Sequence, residues 1–339
     1  MRRRSPGWIC GTDVAGRPAT INDVAAAAGV SRQTVTRAVN DMPGINAATR
    51  ERVLAAAREL HYRPSRFGRG LVKPLTRTLG LLIDDLTNPY YAELASAVLG
   101  LAADAGWNVI LGERAHAAAD DFLIDEFSGQ VDALISFTRI GLSARRDGLP
   151  DLPLVEIDPG VRAGRHGCVE LDMTEAVEDA VAHLHQRGVA HPVVFDHPRP
   201  SPRATAFLGA FTALGIDPVR VVSESTDMQG GLDGTDRLLL DHPGTDAVVA
   251  YNDLMGIGVL RALRLAGVDV PGEVRVIGVD GLGIGRFITP RLTTLAIDMH
   301  RVAGEALDLV LSMHAGTLPG GGSHSHRRVA YTLDLGEST

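Results

Sequence analysis

The chain has 339 residues, room for roughly two domains, with 45% hydrophobic and 22% charged residues, which excludes a disordered tail. Aromatics are only 4%, so the cores must rest on Val, Leu, Ile and Ala. The net charge of −8 hides a division, because residues 1–77 sum to +9 and residues 78–339 to −17. All but one of the 33 basic residues are arginine, so an anion would be met by planar guanidinium groups.

The two cysteines, Cys10 and Cys168, form no CxxC pair and have no histidine at ligand spacing. No zinc site and no disulfide framework are expected, which suits a reducing cytosol. Met1 to Trp8 begins basic but has no apolar stretch after it, so no signal peptide is expected. No uncharged apolar run reaches the ~18–20 residues of a membrane span. The expectation is a cytoplasmic protein without membrane contact.

Residues 1–18 have no periodicity and read as a disordered extension. Residues 19–63 read as three short helices. Thr20 caps Ile21 to Ala28, with Asp23 placed for a variant capping box, and Gly29 ends the helix. Ser31 caps a second helix, Arg32 to Asn40, and Pro43-Gly44 makes a turn. Asn46 caps a third, Ala47 to His61, with Val53, Leu54, Ala57 and Leu60 at helical spacing, and Pro64 stops it. Residues 64–77 form a basic linker.

From Thr78 short apolar strands alternate with amphipathic helices. Strands are expected at 79–83, 108–111, 133–136, 154–157, 168–171, 193–195, 219–222, 247–250, 274–279 and 294–297. Helices are expected at 90–105, 174–187, 203–214, 254–266 and 301–313. This alternation predicts an α/β body of doubly wound parallel sheets behind an all-α head. Ten strands are many for one sheet, so two lobes with a cleft are expected. Lobe 1 takes about 78–171 and 298–320, and lobe 2 takes 172–297 and 321–335. The tract from Gly320 to His326 reads as a flexible surface loop.

Helix, Gly-Val-Ser turn, helix is a helix-turn-helix pattern, whose second helix enters the major groove. Val35 and Val39 would pack on Val24, Ala25, Ala28 and Val30, leaving Arg32, Gln33, Thr36 and Arg37 outward. Arg suits guanine O6/N7, Gln suits adenine N6/N7, and a Thr methyl suits thymine. A solvated polar face would look similar, but the +9 head and basic linker favour double-stranded DNA.

The run Ala19-Thr-Ile-Asn-Asp-Val-Ala-Ala-Ala-Ala-Gly-Val-Ser-Arg-Gln-Thr-Val-Thr-Arg-Ala-Val-Asn40 resembles the N-terminal signature of the lactose-repressor/galactose-repressor (LacI/GalR) family. Ala48-Thr-Arg-Glu-Arg-Val53 and Glu59-Leu-His-Tyr-Arg-Pro64 continue it, as do Asn88-Pro-Tyr-Tyr91, Tyr251-Asn-Asp253, Val276-Ile-Gly-Val-Asp280 and Thr289-Pro-Arg-Leu-Thr-Thr294. The resemblance spans about residues 19–339. It implies a ligand-controlled transcription regulator, most simply a repressor, acting on operator DNA as a homo-oligomer. The C-terminus has no leucine heptad, which favours a dimer over a tetramer. Arg32, Gln33 and Arg37 then fall where the family reads bases, and Ser31, Thr34 and Asn46 where it touches phosphate. Thr20, Tyr62, Arg66 and Arg69 complete the expected backbone and hinge contacts. Leu71 matches the leucine wedged into the minor groove from a short hinge helix. Gly68 and Gly70 stand where that helix usually has Ala, each costing about 1 kcal/mol. Replacing both by Ala should tighten operator binding, and no gain in affinity would count against a hinge helix.

Ligands of doubly wound sheets sit beyond the carboxyl ends of the strands. Asp84 and Asp85 follow the first strand, with Asn88, Tyr90 and Tyr91 at the next helix start. Asn252 and Asp253 follow 247–250, Asp280 ends 274–279, and Arg203 opens a helix after a Pro-rich loop. The resemblance places Arg203, Asn252 and Asp280 among effector contacts. Carboxylates accept from hydroxyls and Arg donates to ring oxygens, so a sugar or polyol effector is expected. Singly, each acidic residue could be a cap or a loop residue, and Asn88 and Asp253 could cap helices. Asp196, His197 and Arg199 could be ligand groups or surface.

A sugar-modifying enzyme is the competing reading. Gly281-Leu-Gly-Ile-Gly285 lacks dinucleotide-loop spacing, and no Walker A, G-x-S-x-G or H-E-x-x-H motif occurs. A periplasmic receptor would need a leader and no recognition helix. His324 and His326 lie on a glycine-rich tract without carboxylates, so neither a metal nor a cofactor is expected.

Overall fold

A computed structural model describes residues 20–39, 42–60, 77–114, 130–137, 152–159, 166–320 and 322–339. The expected extension 1–18, Asn40, His61, and the hinge residues Tyr62, Arg66, Gly68, Arg69, Gly70 and Leu71 lie outside the described residues. The chain divides into two units, residues 1–76 and 77–339.

The head contains α1 (Ile21–Ala28), α2 (Arg32–Val39) and α3 (Ala47–Glu59). The Asp23 carboxylate accepts from the Thr20 N–H and hydroxyl, both at 2.7 Å, which closes the first turn of α1. Gly29 sits at φ +64° with no neighbour that a Cβ would strike, so only its backbone angle demands glycine. That angle turns the chain into α2. Asn46 Oδ1 accepts from Thr49 N at 2.7 Å and starts α3. The core is Val24, Ala25, Ala28, Val35, Ala38, Val53 and Ala56, with Val30, Val39 and Ala57 half-buried at its edge. Leu54 and Leu60, expected at helical spacing, are exposed instead. Val53 and Ala56 set the inward stripe; Leu54 lies one residue round the helix from it, and Leu60 falls past the last helical residue.

Among its described residues the body holds two six-stranded sheets. The first unites β1 (Thr78–Ile83), β2 (Asn108–Glu113), β3 (Ala133–Phe137), β4 (Leu154–Ile157), β5 (Gly167–Asp172) and β11 (His326–Ala330), in the order β11-β5-β4-β3-β1-β2, all parallel. The second unites β6 (Pro192–Asp196), β7 (Val219–Val222), β8 (Ala247–Val249), β9 (Arg275–Asp280), β10 (Thr293–Ala296) and β12 (Thr332–Asp334), in the order β12-β10-β9-β8-β6-β7. Only β12 runs antiparallel to its neighbour there. The α-helices among its described residues are α4 (Pro89–Asp104), α5 (Thr174–Gln186), α6 (Pro202–Ala213), α7 (Met228–Asp241), α8 (Asp253–Ala266) and α9 (Met299–His314). Strands such as β3 and β6 are buried throughout, as sheets covered on both faces require.

The chain passes between the sheets three times: after β5, between β10 and α9, and at Tyr331 between β11 and β12. The last passage falls later than the sequence suggests. Residues 326–330 were expected in lobe 2, yet β11 pairs with β5 in the first sheet, His326 opposite Cys168 and Ala330 opposite Asp172. His326 is therefore a strand residue and not part of a loop, and its Nε2 lies 3.1 Å from Glu170 Oε2. Parallel order brings the carboxyl ends of the strands to one edge of each sheet. Asp84, Asp158, Tyr251 and Asp280 all stand at such ends.

Candidate functional site

In the head, Arg32 and Gln33 at the start of α2 are exposed, and Thr36 and Arg37 are half-buried. Thr36 Oγ1 donates to Arg32 O at 3.1 Å, so its hydroxyl proton is committed to the helix. Ser31 Oγ accepts from Thr34 N at 3.2 Å and lies 2.9 Å from Thr34 Oγ1. These two hydroxyls form the N-terminal cap of α2. Two other arginines serve the fold: Arg52 Nε donates to Ala28 O at 3.1 Å and Arg50 Nη2 to Met42 O at 2.8 Å.

In the body, Arg203 and Asp280 come together. Pro202 and the Ser201 cap, which accepts from Ala204 N at 3.1 Å, start α6 and set Arg203 on its first turn. Asp196 shapes the loop before it, accepting from His197 N, Ser201 N and Arg220 Nε. That carboxylate is thus a loop organiser: burial raises it, and hydrogen bonds from Ser201, Arg220 and the His197 backbone together hold it below the ordinary carboxylate range. Arg203 Nη1 donates to Tyr251 O at 2.9 Å, and its guanidinium lies 5.3 Å from the centre of the Tyr251 ring. Arg203 Nη2 lies 3.0 Å from Asp280 Oδ1. That approach lacks the alignment of a hydrogen bond, and Oδ1 has no other hydrogen-bond partner among the described residues. Burial pushes the Asp280 carboxyl up to about 7, with Arg203 pulling it down and Asp253 and Glu93 adding to the rise.

The facing wall comes from the first lobe. Tyr90, Tyr91 and Phe137 form an aromatic group with ring centres 5.2–5.5 Å apart. Tyr90 Oη and Tyr331 Oη lie 3.1 Å apart, joining α4 to the third passage between lobes. Both hydroxyls are held protonated: burial pushes Tyr331 up to about 12, and burial and Tyr331 raise Tyr90. Asp158, at φ +46° just after β4, is raised by burial and feels Arg203 as the main opposing charge. Asp84 accepts from Arg114 Nε at 2.5 Å and from Tyr91 Oη at 3.3 Å.

The remaining expected residues have local tasks. Asp85 Oδ1 accepts from Thr87 N and Oγ1 in a tight turn, and Asn88 Oδ1 accepts from Tyr90 N at the start of α4. Asn252 caps α8 through Met255 N at 2.8 Å. Asp253 has no exposed surface, and both its oxygens are engaged within the fold. Tyr331, Tyr251 and Asp158 join the cleft without being among the residues singled out from sequence. Asp158 directly follows a buried strand, as Asp280 ends one, and that signal was available. Tyr331 has none, because its role arises from a passage between sheets.

A helix-turn-helix head before two doubly wound lobes, with a polar cleft at their strand ends, defines a DNA-binding regulator with a small-molecule domain. Residues 20–65 match the model described as bacterial regulatory proteins, lacI family, and residues 181–339 match the periplasmic binding protein-like domain. The chain is 30% identical over 321 residues to the HTH-type transcriptional repressor CytR of Escherichia coli K12, covering 90% of this chain and 92% of that one. It belongs to the lacI family of transcriptional regulators. Among solved structures, a LacI family regulator from Arthrobacter sp. FB24 in complex with lactose matches with TM-score 0.73 and 31% identity, over 78% of this chain and 99% of that one. The lac repressor dimer bound to operator and the anti-inducer ONPF matches in fold, with TM-score 0.75 and 24% identity, over 95% and 99% of the two chains. No helix among the described residues is long and apolar enough to cross a membrane.

Proposed function

We propose that this regulator is a cytoplasmic repressor whose hold on operator DNA is set by a sugar or polyol bound between the lobes. The observation that carries the reading is the Arg203–Asp280 pair, with Nη2 and Oδ1 3.0 Å apart, set at the strand ends beside the Tyr251 ring. A carboxylate that accepts from hydroxyls beside a guanidinium that donates to oxygens suits a neutral polyhydroxylated ligand. Tyr90, Tyr91 and Phe137 supply the apolar surface that such a ring covers. The lactose bound by the Arthrobacter relative supports the ligand class, and the name of CytR supports the repressor role. Asp85, Asn88, Asn252 and Asp253 then support the cleft by shaping the backbone around it.

In this reading residues 19–63 read DNA, 64–77 form the hinge and 78–339 sense the effector. Arg32, Gln33, Thr36 and Arg37 meet bases, and Thr20, Ser31, Thr34, Asn46, Tyr62, Arg66, Arg69 and Leu71 serve backbone and hinge. Two copies bind as a dimer, each head taking one half-site. The test is selection of bound duplexes from a random pool, repeated with a library of sugars. A two-fold symmetric site is expected, with at least one sugar changing its occupancy. Equal retention of every duplex against genomic competitor, whatever sugar is present, would overturn the proposal.

A further inference from the structure

Asp253 is chemically out of place as an effector contact. It opens α8 inside the second lobe, has no exposed surface and spends both oxygens internally. Oδ2 accepts from the backbone N–H of Leu282 at 2.6 Å, and Oδ1 accepts from the Thr294 hydroxyl at 2.5 Å. Thr294 Oγ1 in turn accepts from Gly281 N at 3.3 Å. The carboxylate and its threonine therefore hold the bend at 281–282 from two sides. Space for the carboxylate exists only because residue 278 is glycine, since a Cβ there would overlap Asp253 Oδ1.

The bend itself is unusual. Asp280, the last residue of β9, sits at φ +126°, a region that residues with a Cβ rarely adopt. Such a conformation persists only when its surroundings impose it. On its C-terminal side the Asp253 and Thr294 bonds hold 281–282, and Asp280 O accepts from Ile297 N at 3.4 Å. This turn directs the Asp280 carboxylate to Arg203, on α6.

We propose that Asp253 is a positioning residue: its carboxylate, with Thr294, staples the bend after β9 and so holds Asp280 against Arg203 and the effector. This rests on the cleft being the effector site, but the staple can be measured without any effector. Burial raises the Asp253 carboxyl to about 6 and its hydrogen bonds pull it back, consistent with a buried group committed to these donors.

The test uses the full chain. In the unliganded wild type, the Leu282 amide should resist hydrogen exchange as strongly as the interior of α8, and exchange at the rate of an open loop overturns the proposal. In Asp253→Asn and Thr294→Val, the backbone carbon shifts of residues 280–282 should move, while Thr294→Ser, which keeps the hydroxyl, should leave them in place. Unchanged shifts in both folded variants overturn the staple. Lactose is the ligand probe, titrated calorimetrically. Asp253→Asn should weaken it at least tenfold, while Thr294→Ser, which keeps the hydroxyl, should bind it as the wild type does, a rescue that a merely structural defect would not show. Equal lactose affinity in variant and wild type overturns the positioning role. If the wild type binds no sugar, the effector reading fails, while exchange and shifts still decide the staple.

Discussion

At the scale of single residues, the head separates arginines that face outward from arginines that hold the fold. Arg37 lies in the last turn of α2 beside Gly44, half-buried, with a guanidinium suited to a guanine edge. Arg37→Ala should cost about 1–3 kcal/mol of operator affinity and relax preference at one position in each half-site, as measured by competition among mutated duplexes. Arg52→Ala, which removes the bond to Ala28 O, should lower the melting temperature of the head without changing base preference. Charge also makes a prediction in the body. Asp280 and Asp253 stand at about 7 and about 6, above the ordinary 3.8, because they are buried. The folded chain therefore holds protons that the unfolded chain releases. Their contribution to stability is full below about pH 4 and is lost as pH rises through 6 and 7. Asp172, Asp196 and Asp227, held low, act oppositely, losing their contribution only as pH falls below that of an ordinary carboxylate. Urea midpoints should fall between about pH 4 and 7, and Asp280→Asn should flatten the upper part of that fall. An equal slope in wild type and Asp280→Asn would show that Asp280 is ionised throughout.

At the scale of elements, sequence periodicity located most strands and helices, and it failed where tertiary contact outweighs local preference. Helix α7 carries Gly230, Gly231 and Gly234, each costing about 1 kcal/mol in a helix, so its sequence does not look helical. The structure shows why glycine is used. A Cβ at Gly231 would overlap Met255 O, and one at Gly258 would overlap Met228 O, so α7 and α8 approach with their backbones in contact. Gly231→Ala, favourable by propensity alone, should therefore lower the thermal midpoint by forcing the helices apart. A rise in the midpoint would show that the helices yield freely. The same limit applies to the cleft. Arg203 and Asp280 could be picked out because each follows a strand or a loop at a strand end. Tyr331 could not, because β11 and β12 are short and the glycine-rich tract before them reads as loop. Asp253 looked like a site residue because it follows a strand, and only its burial distinguishes a staple from a contact.

At the scale of the whole molecule, an effector can bias the protein only by binding one arrangement of the lobes better than another. The residues able to sense that arrangement lie where the lobes meet. Tyr90 belongs to α4 in the first lobe and Tyr331 to the final passage between lobes, and their hydroxyls meet 3.1 Å apart within the electrostatic reach of Arg203 and Asp280. Removing one hydroxyl leaves its partner buried and unsatisfied, at a cost of about 1–3 kcal/mol. That cost falls on the arrangement in which the two touch. Tyr331→Phe should therefore shift the population between lobe arrangements, changing the effector concentration for half-maximal effect on operator binding by about 5- to 150-fold, since 1.4 kcal/mol is about one decade. Direct contacts of the head with DNA are untouched, so the salt dependence of operator binding should keep its slope. Gel-shift titrations at two salt concentrations, with and without effector, separate the two effects. A Tyr331→Phe protein with the wild-type response would place the sensing contact elsewhere in the cleft, with Arg203 and Asp158 the next pair to vary.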